Sequence, residues 1–147
     1  MIAKLLLVDR QLQSQQTGRI LLIEDNDVNR MLMSDYLSYC GYEVQSLSEG
    51  STLFATIEQF QPNLMLLDLK LPDIDGYLLL EQIKQQPSCS QIPIIVVSAF
   101  AFKADQERAM GLGACRYFVK PVNLTELILT IEEELRFYHQ HIFDDER

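Results

Sequence analysis

Glu24-Asp25, Asp68, Ser98 and Lys120-Pro121 stand at the ends of four short apolar runs, Arg19–Ile23, Asn63–Leu67, Ile94–Val97 and Tyr117–Val119. Each run has the length and aliphatic content of a strand buried on both faces. If all four lie parallel in one sheet, their C-terminal ends meet at one edge, where open α/β folds hold ligands. Three carboxylates, a hydroxyl and a lysine then converge on one point. Carboxylates brought together repel one another, and a divalent cation removes that cost. Mg2+ takes oxygen ligands and keeps several waters, so a few carboxylates plus substrate oxygens suffice. Lysine acts on phosphate as a point charge, and Pro121 fixes the backbone behind Lys120 and can take the cis form. The set suits an aspartate that accepts a phosphoryl group beside a metal. One acid at a strand end is more often a helix cap or a solvated turn, and Ser98 or Lys120 alone would carry little weight. Their convergence is what points to chemistry.

The elements that must position these residues alternate from Arg19 onward. Asn26 and Asp27 are N-cap types ahead of a helix from Val28 to about Cys40, with Gly41 suited to its C-terminal cap. Tyr42–Leu47 reads as a second strand. Ser51–Phe60 reads as a helix closed by Pro62, and Gly76–Gln86 as a helix ended by Pro87. Lys103–Leu112 is the next helix, with Gly111 and Gly113 marking its exit. Asn123-Leu-Thr-Glu126 has the form of a capping box. The helix it opens repeats Leu124, Leu127, Ile128, Ile131, Leu135 and Tyr138 at three and four. Five strands and five helices in strict alternation predict a parallel sheet covered on both faces.

Composition narrows the function classes. The 147 residues allow one domain with a substantial core. Twelve basic against 21 acidic residues give a formal charge of −9, which argues against a nucleic-acid surface. No window is apolar for the roughly 18 residues that a bilayer crossing needs. Lys4–Val8 is too short for a signal-peptide core and lacks a small-residue cleavage site, so a cytoplasmic protein is expected. Cys40, Cys89 and Cys115, odd in number and without metal spacing, are expected to be reduced packing residues.

The chain resembles the receiver domain of two-component response regulators, in its stand-alone, single-domain form. The resemblance covers about Arg19 to Phe137 and rests on Ile23-Glu-Asp-Asn26, Leu67-Asp-Leu-Lys-Leu-Pro-Asp-Ile-Asp-Gly76, Val97-Ser-Ala99 and Tyr117-Phe-Val-Lys-Pro121. Counted from Asp25, the spacing to Asp68 fits the family; counted from Asp9 it does not. Glu24 stands where an Asp is commoner and Ser98 where a Thr is commoner, and both keep the functional group. The resemblance implies a flavodoxin-like, doubly wound (βα)5 fold with five parallel strands in the order 2-1-3-4-5. It implies that Asp68 is the phosphoacceptor. Asp25 and Asp68 would bind Mg2+ or Mn2+ directly, Glu24 through water and Lys70 through its backbone carbonyl. Lys120 and Ser98 would contact the phosphoryl oxygens, and the Tyr117 rotamer would follow Ser98. Lys70 and Phe100 would flank the phosphoryl group and modulate its loss. Expected partners are a histidine kinase or histidine phosphotransfer protein and a downstream protein target, with the chain a monomer or weak dimer.

Two other readings compete. An aspartyl-nucleophile phosphohydrolase would want a second acid two residues after Asp68, where Lys70 stands. A degenerate receiver that binds a partner without phosphate is disfavoured by the intact acid set. A flavin-binding relative lacks a phosphate-cradling first loop. No enzyme activity beyond self-phosphorylation and slow self-dephosphorylation is expected. Residues 1–18 read as an extension or linker (an added edge strand, a mobile arm or residues foreign to the native chain), residues 19–138 as the receiver domain, and residues 139–147 as an acidic tail. His139 and His141 fall in that tail and read as solvated. So short a tail leaves no room for an output domain, and output is expected from binding another protein or passing the phosphoryl group onward. Leu129 and Phe137, off the apolar stripe of the last helix, are candidate partner contacts.

Overall fold

The computed structural model describes residues 18–145, with side chains through Phe137. Most of the expected N-terminal extension, and the side chains of His139 and His141, lie outside the described residues. Among the described residues five strands and five helices alternate: β1 Arg19–Ile23, α1 Asp27–Tyr39, β2 Glu43–Leu47, α2 Leu53–Phe60, β3 Leu64–Leu67, α3 Gly76–Gln85, β4 Ile94–Ser98, α4 Lys103–Gly111, β5 Arg116–Val119 and α5 Leu124–Asp145. The sheet is parallel throughout, in the order β2-β1-β3-β4-β5.

Period-two alternation sends neighbouring strand residues to opposite faces. Leu21, Ile23, Met65 and Leu67 pack with Leu53 and Ile57 of α2, Leu80 and Ile83 of α3 and Ala109 of α4. Ile20, Leu22, Leu64 and Leu66 pack instead with Met33 and Leu37 of α1 and Leu127, Ile128 and Ile131 of α5. Both faces of β1 and β3 are therefore covered, and at about 1.5–3 kcal/mol for each fully buried aliphatic side chain this layering dominates the stability.

Helix ends follow local chemistry. The Asn26 side chain accepts from the Asn29 amide at 2.9 Å, which starts α1 one residue before the expected Val28. At its other end the Gly41 amide donates to the Ser38 carbonyl at 3.0 Å and the Tyr42 amide to the Leu37 carbonyl at 3.2 Å. This Schellman pattern needs the positive φ of 100° that Gly41 supplies. Gly113 repeats the device after α4, whereas Gly111 lies within the helix. Asn123 caps α5 by accepting from the Glu126 amide at 3.1 Å. The backbone of α5 continues as helix to Asp145, into the stretch read from sequence as a tail.

Candidate functional site

Strand register assembles the acids. Ile23 pairs with Leu67, so Glu24 and Asp68 emerge side by side from β1 and β3. The Asp68 amide donates to the Ile23 carbonyl at 3.0 Å, and the Glu24 amide to the Leu47 carbonyl at 2.9 Å, which seats both residues in the sheet edge. Asp25 turns outward at the start of the loop into α1. One oxygen from each of Glu24, Asp25 and Asp68 can be chosen so that all lie within 4.8 Å of one another. Glu24 and Asp68 are 2% and 4% exposed, and Asp25 opens the cluster to solvent.

Lys120 reaches this point from the far side of β4. Ser98 pairs with Val119, and the Lys120 amide donates to the Ser98 carbonyl at 2.9 Å. The Lys120–Pro121 peptide bond is cis. Lys120 Nζ donates to both Glu24 carboxylate oxygens at 2.7 and 2.8 Å and to Asp68 Oδ2 at 2.8 Å. Burial and the hydrogen bond with Asp68 push the Glu24 carboxyl up to about 7, against the pull of Lys120. Burial works against the Lys120 charge, yet its bonds to Asp68 and Glu24 hold its pKa above the usual lysine value. Two buried carboxylates thus face one ammonium, with the Asp25 carboxylate beside them. Hard oxygen donors in such an arrangement fit Mg2+ or Mn2+.

The loop after β3 is held tightly. The Lys70 amide donates to Asp68 Oδ1 at 3.1 Å, and Lys70 pairs with Asp75 in an isolated antiparallel bridge. The Gly76 amide returns to the Leu69 carbonyl at 3.0 Å. A Cβ on Gly76 would collide with Leu69 backbone atoms, so no larger residue closes this loop without moving it. The Lys70 side chain is exposed.

Ser98 is fully buried at the end of β4, and its Oγ accepts from the Phe100 amide at 3.2 Å. The Tyr117 hydroxyl donates to the Phe100 carbonyl at 2.7 Å, which ties Ser98 and Tyr117 to the same loop residue. Phe100 and Lys70 line one open hollow beside the acid loop. Leu129 and Phe137 are 52% and 58% exposed on α5.

Sequence reasoning missed three side chains. Arg30 donates to the Glu24 carbonyl at 2.9 Å and to Asp27 Oδ1 at 2.6 Å, bracing the acidic loop from α1. Its i, i+3 spacing from Asp27 was the available signal. Tyr77 and Arg108 pack near Phe100, and nothing local in the sequence marks either. A larger hollow of about 740 Å3, lined by residues including Arg19, Phe54 and Asn63, lies at the opposite end of the sheet.

The sequence profile described as the response regulator receiver domain matches residues 20–132. The chain belongs to this family. As a receiver domain it is similar to the polar-differentiation response regulator DivK of Brucella ovis, at 32% identity over 119 residues covering 81% of this chain and 97% of that one. A CheY-like receiver domain protein from Methanospirillum hungatei JF-1 matches its structure with a TM-score of 0.79 at 30% identity, covering 86% of this chain and 99% of that one. The receiver domain of sensor histidine kinase PA1611 from Pseudomonas aeruginosa PAO1 matches with a TM-score of 0.74 at 30% identity, over 82% and 98%. That protein holds a magnesium ion in its active-site cleft. The receiver's sheet order is accordingly that of the CheY-like, flavodoxin-like fold. Among the described residues, no helix is long and apolar enough to cross a membrane.

Proposed function

We propose that this receiver takes a phosphoryl group onto Asp68 from a phosphohistidine of a kinase or phosphotransfer protein and thereby switches its binding to a downstream protein. The observation that carries the reading is Asp68 itself, a carboxylate 4% exposed, anchored at Oδ1 by the Lys70 amide and facing the Lys120 ammonium through Oδ2. Asp68 attacks phosphorus in line and the P–N bond breaks. The imidazole nitrogen keeps the bonding pair and takes a proton from solvent. Lys120 and Ser98 neutralise and bind the phosphoryl oxygens, which is most of what a loose phosphoryl-transfer transition state requires. Asp25 and Asp68 directly, Glu24 through water and the Lys70 carbonyl would hold Mg2+ or Mn2+, which supplies further charge neutralisation when bound. Support for the metal comes from the donor set and from the magnesium in the similar PA1611 receiver.

The donor protein needs a surface beside the acids. α1 starts two residues after Asp25 and exposes Val28, Met31 and Leu32, an apolar strip suited to a helical partner. Output is assigned to the face formed by α4, β5 and α5, where Leu129 and Phe137 are exposed. The phosphoryl group biases two pre-existing arrangements, in which Ser98 moves toward it, the following loop shifts and Tyr117 follows.

Acetyl phosphate with Mg2+ should add one phosphoryl group, read by intact mass, and Asp68→Asn should abolish it. Unchanged labelling of that variant removes Asp68 from the role.

A further inference from the structure

Tyr77 is a polar side chain set in an apolar cluster, and its contacts run toward the switch rather than away from it. Its backbone belongs to the first turn of α3, directly behind the acid loop. The Tyr77 amide donates to Asp75 Oδ1 at 2.9 Å, and the neighbouring Gly76 is pressed against Leu69. The Tyr77 ring, only 5% exposed, is therefore fixed relative to Asp68.

That ring meets three groups from the β4–α4 segment and the helix that follows. It stacks on Phe100, with centroids 6.4 Å apart and planes inclined by 8°, an offset-parallel geometry favourable for aromatic pairs. The guanidinium of Arg108 in α4 lies 4.0 Å from the ring centroid, close enough for a cation–π contact. The hydroxyl donates to the Asp105 carboxylate at 3.3 Å and reaches the Asp105 carbonyl at 3.4 Å. The same carboxylate accepts from the Phe102 amide at 3.2 Å, which caps α4. The Phe100 amide in turn donates to Ser98 Oγ, and its carbonyl accepts from the Tyr117 hydroxyl. Ser98, Tyr117 and Tyr77 therefore grip one residue through its amide, its carbonyl and its ring.

We propose that Tyr77 is a positioning residue for the segment from Ala99 to Phe102, a clamp between the acid loop and α4 that sets how freely the segment moves. Any displacement of the segment that follows Ser98 must slide the Phe100 ring across Tyr77. Arg108 presses on the ring and Asp105 holds its hydroxyl, so sliding also strains the start of α4. The clamp acts whether or not Asp68 is phosphorylated. Its effect on the response to phosphorylation rests on the acceptor reading above.

Hydrogen exchange read by mass spectrometry tests the clamp in the unmodified protein. Tyr77→Leu keeps an apolar side chain in the cluster but removes the stack, the cation–π contact and the hydroxyl. It should speed exchange about tenfold in peptides spanning 99–106 while leaving α1 and β1 unchanged. Tyr77→Phe keeps the ring and should restore most of the protection. Arg108→Gln, at an exposed position that leaves the cluster filled, should raise exchange in the same peptides by a smaller factor. Wild-type exchange in both Tyr77→Leu and Arg108→Gln, or an equal rise in every peptide, overturns the proposal. If Tyr77→Leu does not fold, Arg108→Gln decides alone, and unchanged exchange there overturns it. In a second arm, acetyl phosphate with Mg2+ should alter exchange at 99–106 in the wild type and less so in Tyr77→Leu. Absence of labelling in the wild type counts against the acceptor reading and leaves the first arm standing.

Discussion

At the C-terminal edge of the sheet Lys120 meets the carboxylates of Glu24 and Asp68, whereas at the N-terminal edge Arg19 meets the carbonyls of Phe60 and Gln61, at 3.1 and 2.9 Å. The same strands run between the two ends. Arg19 caps the C-terminus of α2, whose last turn carries no basic residue of its own, and so complements the helix dipole. Its backbone amide is also taken, donating to Asn63 Oδ1 at 2.8 Å. The hollow beside it is the larger of the two, yet its cation is spent on main-chain acceptors. At the other end the buried carboxylates of Glu24 and Asp68 share one ammonium, with the exposed Asp25 beside them, and the metal binding proposed above rests on that excess of acid. The proposed chemistry is therefore placed by buried charge, not by hollow volume.

Substitutions at the two ends should separate these roles. Asp25→Ala should lose both Mg2+ binding and acyl-phosphate labelling, while Glu24→Gln should weaken metal binding less. Equal losses in a calorimetric titration would merge the direct and water-mediated roles assigned to them. Phe100→Ala should shorten the phosphoryl lifetime several-fold from a slow wild-type decay. Phe100 offers bulk without a hydrogen bond to orient water, and Lys70 offers no acceptor either. Equal decay in a phosphate-release time course would leave Phe100 as a packing residue of the Tyr77 stack.

At the opposite end Arg19→Met should lower stability by about 1 kcal/mol, measured by urea unfolding, since its guanidinium bonds are partly open to water. Labelling should be unaffected, and a parallel loss would show that the two ends are coupled. The smallest effect on stability belongs to Leu129→Ser with Phe137→Ser, within about 0.5 kcal/mol because both side chains are exposed. Partner binding should fall in that variant. Intact binding there, with loss on substitution elsewhere, would move the output face.

The alternation of elements was legible because each strand is a short apolar run and each helix carries a stripe, a cap or a glycine exit. Gly41 and Gly113 could be read as exits, since a positive φ of 100° or 113° suits glycine and few other residues. Element bounds moved by one or two residues, as at α2, which starts at Leu53 rather than Ser51. Thr52 there makes no side-chain cap bond, so the local pattern had no anchor. The convergence of Glu24, Asp25, Asp68, Ser98 and Lys120 at one sheet edge was legible too, because parallel strands end together. The grip of Tyr117, Tyr77 and Arg108 on or near Phe100 was not. Those residues lie on different elements, and no periodicity links one helix to the loop before another.

Which residue types stand at the strand ends, and which faces of the strands and helices are apolar, follow from the order of residues alone. These are local properties, set by side-chain chemistry and by the periods of strand and helix. The partner that each polar group takes is set by packing: Lys120 between Glu24 and Asp68, Arg30 on the Glu24 carbonyl, Tyr117 on the Phe100 carbonyl. A hydrogen bond at about 2.8 Å depends on strand register, loop closure and burial together. Those are fixed when β1, β3, β4 and β5 pack into one sheet, not residue by residue along the chain.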